Sequence, residues 1–348
     1  MKTITSITRY FQVSLGGALI CAATLAACTR ATGDLPPVPP GEGREAIVPV
    51  AGLTGVAPGS RADLSPGPVT GVAFPVNTSK LFAVTAYAGP AATPPTGVPQ
   101  SIAYFDNQAV ESDADGKLSF TAPQYYPPSS DVKLYFYAYS PVAAGTPGYA
   151  AGDGLTAAPT VTWVLDGQQD IMYASVTSGI GKEEGTQTHP EFAFRHLLAR
   201  VQFKFVQATG FGGGINVTGI VIKQLNKKAS LNLVTGALTW THQGTQDGDA
   251  LSLTGTFPVK PVAEAAVIAP CLMVPPAFST GNKIKINIVA GGIDYGDVSL
   301  DLPDALKDSA GAGKNLVVTL EFQGTTIKPA VQVTPWVEYG YAPTHTLK

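Results

Sequence analysis

Apolar residues recur at every second position in four stretches of the chain. In 132–139, Val132, Leu134, Phe136 and Ala138 share one face, while Lys133, Tyr135, Tyr137 and Tyr139 share the other. In 201–207, Val201, Phe203 and Phe205 oppose Gln202 and Lys204; in 283–289, Ile284, Ile286 and Ile288 oppose Lys283, Lys285 and Asn287. In 315–322, Leu316, Val318, Leu320 and Phe322 oppose Asn315, Val317, Thr319 and Glu321. A period of two with one apolar face predicts strands that bury one side and wet the other, as in antiparallel sandwiches. Leu231 to Trp240 reads as a hairpin with Thr235-Gly236 in its turn. Helical spacing is scarce. Phe194-Arg195-His196-Leu197-Leu198-Ala199-Arg200 could make two turns, but it runs straight into a strand.

Composition agrees with an all-β chain. There are 38 Gly and 29 Pro, which punctuate strands with turns, and charged residues make up only 14%. An apolar content of 45% argues against disorder. A net charge of −3 gives no electrostatic basis for nucleic-acid binding. The most polar stretch between apolar blocks, Ser178 to His189, is expected to connect two domains, 46–189 and 190–348.

The N-terminus has a secretory layout. Lys2 and Arg9 precede an uncharged run, Phe11 to Ala27, which ends in Leu25-Ala26-Ala27-Cys28. The run is short for a spanning helix, which needs about 20 apolar residues. With Cys at the cleavage point it resembles a bacterial lipoprotein signal. Residues 1–27 would then be removed between Ala27 and Cys28, and the Cys28 thiol lipidated. Residues 28–45 form a Pro-rich spacer beyond that anchor. Cys21 leaves with the signal and Cys271 is then the one remaining thiol, so burial rather than a disulfide must hold the fold.

The residues that could do chemistry are few. His189, His196, His242 and His345 are scattered without metal-ligand spacing. His196, in an apolar context, is expected to be a hydrogen-bonded structural residue. Glu111-Ser112-Asp113-Ala114-Asp115-Gly116 opens like a calcium loop but lacks the distal bidentate Glu, which favours a polar hairpin turn. Gly212-Gly213-Gly214 has no Lys and no following helix, and no Gly-x-Ser-x-Gly elbow occurs. Neither a catalytic residue, a metal nor a cofactor is expected. Tyr135, Tyr137 and Tyr139 are candidate surface aromatics for a sugar, the competing reading being that they pack against a neighbouring sheet.

Several stretches together resemble the fimbrillin-like pilins of Bacteroidales. Phe192-Ala193-Phe194-Arg195-His196-Leu197-Leu198-Ala199-Arg200-Val201-Gln202-Phe203 is similar to the family's Phe-x-His-x-Leu opening of its second domain. Gln169-Asp170-Ile171-Met172-Tyr173-Ala174, Tyr125-Tyr126-Pro127 with Phe136 to Pro141, and Val333-Thr334-Pro335-Trp336 look like further family elements. The resemblance implies two tandem transthyretin-like antiparallel β-sandwich domains. It also implies a non-catalytic fimbrial subunit of pilin, anchor or tip type, lipid-anchored at the outer membrane and displayed at the cell surface. Such subunits partner one another by strand exchange and support adhesion to a host or bacterial receptor. The alternative is a non-polymerising surface lipoprotein that binds glycan or host protein.

Family subunits are cut after an Arg by a surface protease, and a first strand then leaves. Of Arg44 and Arg61, only Arg61 follows a segment able to pair as a strand, Ala46 to Leu53. The expected cut is therefore Arg61–Ala62, with 46–61 as the cleavable first strand, the competing reading being that Arg61 is a loop cation and the strand never leaves. A stalk subunit also needs a donor strand at its C-terminal end, and Val337 to Lys348 carries a poor strand pattern.

Overall fold

The computed structural model describes residues 45–53, 82–90, 103–113, 117–142, 148–153, 156–182, 189–210, 214–242, 249–276, 283–301 and 311–335. Among these there are strands and turns and no α-helix. The 194–200 stretch lies in two strands rather than in helical turns.

A seven-stranded sheet has the order β1-β9-β8-β5-β2-β3-β4. Its members are β1 (Val50–Leu53), β2 (Phe82–Pro90), β3 (Phe105–Ser112), β4 (Leu118–Phe120), β5 (Val132–Ser140), β8 (Met172–Ile180) and β9 (Glu191–His196). Facing it is a four-stranded sheet made of β6 (Gly148–Ala150), β7 (Thr160–Val164), β12 (Lys228–Asn232) and β13 (Leu238–Thr241), in the order β13-β12-β7-β6.

The other two sheets come from later residues. One holds β10 (Ala199–Gln207), β15 (Lys260–Pro261), β16 (Val267–Val274), β19 (Lys314–Gln323) and β20 (Thr326–Pro335). The other holds β11 (Asn216–Lys223), β14 (Ala250–Pro258), β17 (Lys283–Ala290) and β18 (Ile293–Asp301), in the order β14-β11-β17-β18. Their inward residues, Phe203, Phe205 and Phe322 against Ile220, Ile286 and Phe257, share one core. Pairing is antiparallel except for β1 with β9, β10 with β19 and β10 with β15.

Hydrogen bonding does not divide at residue 190. The polar 178–189 stretch joins β8 to β9, which pair antiparallel in one sheet. The chain passes to the later sheets at Leu197-Leu198. The hairpin read from 231–240 is present as β12–β13, and it pairs not with its sequence neighbours but with β7.

The centre of the seven-stranded sheet, β2 and β5, is buried on both faces, which explains its aromatic content. On one side Tyr87, Tyr135, Tyr137, Tyr139 and Tyr173 meet Val161, Trp163, Ala229 and Leu231 of the four-stranded sheet. On the other, Phe82, Phe105, Phe120, Phe136, Phe192 and Phe194 form a second core together with Ile47 and Tyr126. β5 was expected to wet one face; instead Leu134 through Ser140 are all buried.

Candidate functional site

The second core is closed by a segment that reaches it from outside the sheet. Residues 45–47 run beside 124–126: Ile47 N donates to Gln124 O at 2.8 Å, and Tyr126 N donates to Glu45 O at 3.0 Å. Ala46 bridges Tyr125 there in antiparallel fashion. The segment then reaches the opposite edge of the sheet, where Val50 N donates to Pro190 O at 2.9 Å. Val50–Leu53 pair parallel with β9 in the register Val50↔Glu191 to Leu53↔Phe194.

Alternation decides what enters the core. Ile47, 4% exposed, and Pro49 are buried, whereas Ala46 and Val50 (40% exposed) face solvent. Pro49 is tolerated because the ladder with β9 begins only at Val50, so position 49 owes no amide to a neighbour. Ile47 joins an aromatic floor in which Phe82 meets Phe194 at 5.1 Å and Phe192 at 5.6 Å, both edge to face. Burial, and then the nearby Glu45 carboxylate, push the Tyr126 hydroxyl above its ordinary pKa. The site is thus a groove for an extended, alternately apolar segment. It offers an apolar bottom and backbone partners at both ends.

Tyr135, Tyr137 and Tyr139 are not surface aromatics; each is 1% exposed. The four-stranded sheet covers them, with Tyr139 5.8 Å from Trp163 edge to face and stacked on Tyr149 at 6.3 Å. Tyrosine tolerates such an interior when its hydroxyl finds a partner. Tyr139 OH donates to Asn107 Oδ1 at 2.7 Å, and Tyr149 OH donates to Asp106, which also accepts from Thr85 Oγ1 at 3.0 Å. Of the two readings of these residues, the surface sugar platform is therefore corrected to a buried polar-aromatic layer packed against the neighbouring sheet.

His196 Nδ1 lies 2.9 Å from Asp170 Oδ2 with both side chains nearly buried, a structural pair at the passage from β9 to β10. Cys271 is a buried thiol whose pKa is pushed up to about 12, chiefly by burial, so it stays protonated at neutral pH. Asp113 closes the β3–β4 turn, accepting from Lys117 N at 2.8 Å. Residues 114–116 of the calcium-like stretch are outside the described residues, as are Ala27, Cys28, Arg61, Ala62 and His345. Among the described residues no group of three or more His, Cys, Asp or Glu is placed to hold a metal, and no helix is long and apolar enough to cross a membrane.

What sequence reasoning missed is the seat itself. Ile47 and Pro49 carry a recognisable alternation in 46–53, but their partners at 124–126 and 190–194 carry no periodic signal that points back to them.

Comparison with known proteins bears on the fold and the family. A fimbrial protein from Bacteroides vulgatus is 17% identical, with a TM-score of 0.55 over 85% of this chain and 100% of that one. A proposed cell adhesion protein from Bacteroides ovatus is 14% identical, with a TM-score of 0.50 over 85% and 99% of the two chains. The fimbrial anchor protein Mfa2 from Porphyromonas gingivalis is 11% identical, with a TM-score of 0.38 over 86% and 100%. No functionally curated protein matches the chain. The groove-filling segment, 45–53, precedes the region shared with the family. A sequence profile described as fimbrillin-like matches residues 73–336, and the chain belongs to that family of cell-surface fimbrial proteins.

Proposed function

We propose that this chain is a subunit of a surface fimbrium, tethered to the outer membrane through Cys28 until proteolysis at Arg61–Ala62 frees it to assemble by strand exchange and to support adhesion. The observation that carries this reading is the seating of residues 45–53. They fill an apolar groove with Ile47 and Pro49 yet pair with a single strand of the sheet.

The position of the two arginines favours Arg61. The seated residues lie after Arg44 and before Arg61. A cut at Arg44 leaves them joined to the rest of the chain, whereas a cut at Arg61 removes their covalent tie. Their docking then becomes intermolecular, and the high effective concentration that kept them in place is lost. The same cut separates residues 62–348 from the lipid. A departed strand leaves β9 with unpaired backbone groups beside an apolar cleft, which an incoming strand satisfies by β-augmentation.

The tether itself follows from chain count. Each buried methylene contributes about 0.8 kcal/mol, and one acyl chain holds only marginally. The diacylglyceryl thioether of a lipoprotein-type Cys28, with a further N-acyl chain, exceeds that limit. Incorporation of labelled palmitate should be abolished by Cys28→Ser.

Treatment of the mature protein with an Arg-specific protease tests the reading. The parent chain should lose residues 28–61 and form an SDS-resistant ladder, while Arg61→Ala should stay monomeric. A ladder built of uncut chains would sink the proposal.

A further inference from the structure

A sheet edge that offers bare backbone to solvent pairs with other chains unless something blocks it. Most edges of the described sheets carry such a block. β18 sets Asp294, Asp297 and Asp301 along its length, and its ladder slips between Asn287 and Val289. β20 carries Lys328 and Pro329, β16 carries Pro270, and β14 ends on Pro258 beside a slip in its own ladder. β4 and β6 are three residues long and β15 two. β1 belongs to the segment seated in the groove.

β13 differs from all of these. Leu238-Thr239-Trp240-Thr241 has no charge and no proline, and among the described residues it pairs with β12 alone, in an unbroken register. Its Thr and Trp residues suit a strand. At the closed end of the hairpin Asn232 N donates to Ala237 O at 2.9 Å. Bonded and non-bonded pairs alternate along an antiparallel ladder, so Ser230↔Thr239 is a bonded pair, while Leu231↔Leu238 and Ala229↔Trp240 are not. Leu238 and Trp240 therefore turn their N–H and C=O groups away from β12. Their side chains rest half-buried against the core, and Thr239 and Thr241 are exposed on the other face.

This edge is complementary to itself. In antiparallel pairing about a two-fold axis at Thr239, Leu238 exchanges both backbone bonds with Trp240 of a second copy, and Trp240 does the same with Leu238. Every free edge group of the two residues is then satisfied on both copies. On the core side each Trp240 is covered by a Leu238, and across the axis Thr239 meets Thr239. A charge at that position would face its own copy and repel it; Thr239 carries none.

We infer that β13 is a lateral docking edge for a second copy of this chain, pairing antiparallel with the same strand in the register Leu238↔Trp240. The seam is four residues long, far short of the roughly 1,200 Å² that a stable complex buries. It is therefore weak between isolated chains and gains strength where many copies are arrayed side by side. No strand leaves its sheet, so the inference does not depend on strand release.

Disulfide trapping in the mature chain tests it. Thr239→Cys sets two thiols across the axis with Cβ atoms about 4.5–5.5 Å apart, close to bridging distance. Thr241→Cys lies on the same strand and face and is also exposed, but its two copies stand about 14 Å apart along the strands, too far to bridge. Both variants are oxidised with glutathione disulfide at about 1 mM protein, where a contact of millimolar Kd is populated, and wild type supplies the baseline. On a non-reducing gel, Thr239→Cys should give about tenfold more dimer than Thr241→Cys. Adding Trp240→Pro removes an edge amide but none of the β12 ladder bonds, and should abolish the excess. Equal dimer from the two cysteine variants, dimer from neither, or an excess that survives Trp240→Pro overturns the inference.

Discussion

Two segments extend the first pair of sheets from outside, and they are held in different ways. Residues 45–53 add to the seven-stranded sheet through four parallel register pairs with β9. The β12–β13 hairpin adds to the four-stranded sheet through five antiparallel register pairs with β7, Lys228↔Val164 to Asn232↔Thr160. The first segment sends Ile47 and Pro49 into the core; the hairpin sends in Ala229, Leu231 and Leu233, all fully buried. The hairpin is also fastened at its turn. Tyr173 OH donates to Leu233 O at 2.9 Å, Arg195 donates to Gly236 O at 3.1 Å, and the same guanidinium lies 5.4 Å from the centre of the Tyr173 ring. A cation over an aromatic face and a buried hydrogen bond each add order 1 kcal/mol. The first segment is lightly fastened, as the proposed strand exchange requires, and the hairpin is fastened at both its ladder and its turn.

The strongest perturbation of the hairpin side is alkali. Burial raises the pKa of Tyr87, Tyr137, Tyr139, Tyr149 and Tyr173 above the ordinary 10.0, to about 12 for Tyr87. Groups with raised folded-state values contribute stability that is whole below the unfolded pKa and is lost as pH climbs through the folded one. Stability should therefore be unaffected by these hydroxyls up to about pH 10 and fall steeply beyond it, with tyrosinate absorbance rising together with loss of the β circular-dichroism signal. Titration of Tyr87, Tyr137, Tyr139, Tyr149 or Tyr173 near pH 10 in an intact fold would refute the sealed layer.

Leu231→Ala comes next. It removes a fully buried side chain and should lower unfolding stability by about 2–5 kcal/mol in urea titration. Gly236→Ala should cost about 1–3 kcal/mol in the same assay, because its φ of 66° suits glycine and a Cβ there would lie 2.5 Å from the Tyr173 ring.

Ile47→Ala sharpens the contrast. Docking of the segment should weaken by about 2 kcal/mol, yet the global urea midpoint should move far less, since this edge opens locally before the sheets unfold. Hydrogen exchange at 45–53 should accelerate while that at 228–232 is unchanged. Val50→Thr, at an exposed position, should change stability by less than about 0.5 kcal/mol.

The strands with strict alternation were legible. β10, β17 and β19 fall within two residues of the stretches read from the sequence, because a period of two in Ile, Val and Phe fits little else. The tyrosine face of β5 was ambiguous, since Tyr suits both water and an interior that supplies hydroxyl partners. Its clue was bulk on both sides of one strand, the mark of a strand buried on both faces. The pairing of β12 with β7 was not legible. It joins residues more than sixty positions apart, and local periodicity does not encode partner choice. The parallel seat of residues 50–53 on β9 was hidden for the same reason.

The central claim is that the first segment leaves on assembly while the hairpin remains. Determining the N-terminus of chains recovered from surface fimbriae tests it most directly. The account predicts a start at Ala62, with residues 45–53 gone; assembled chains that still begin at the lipidated Cys28 would contradict it.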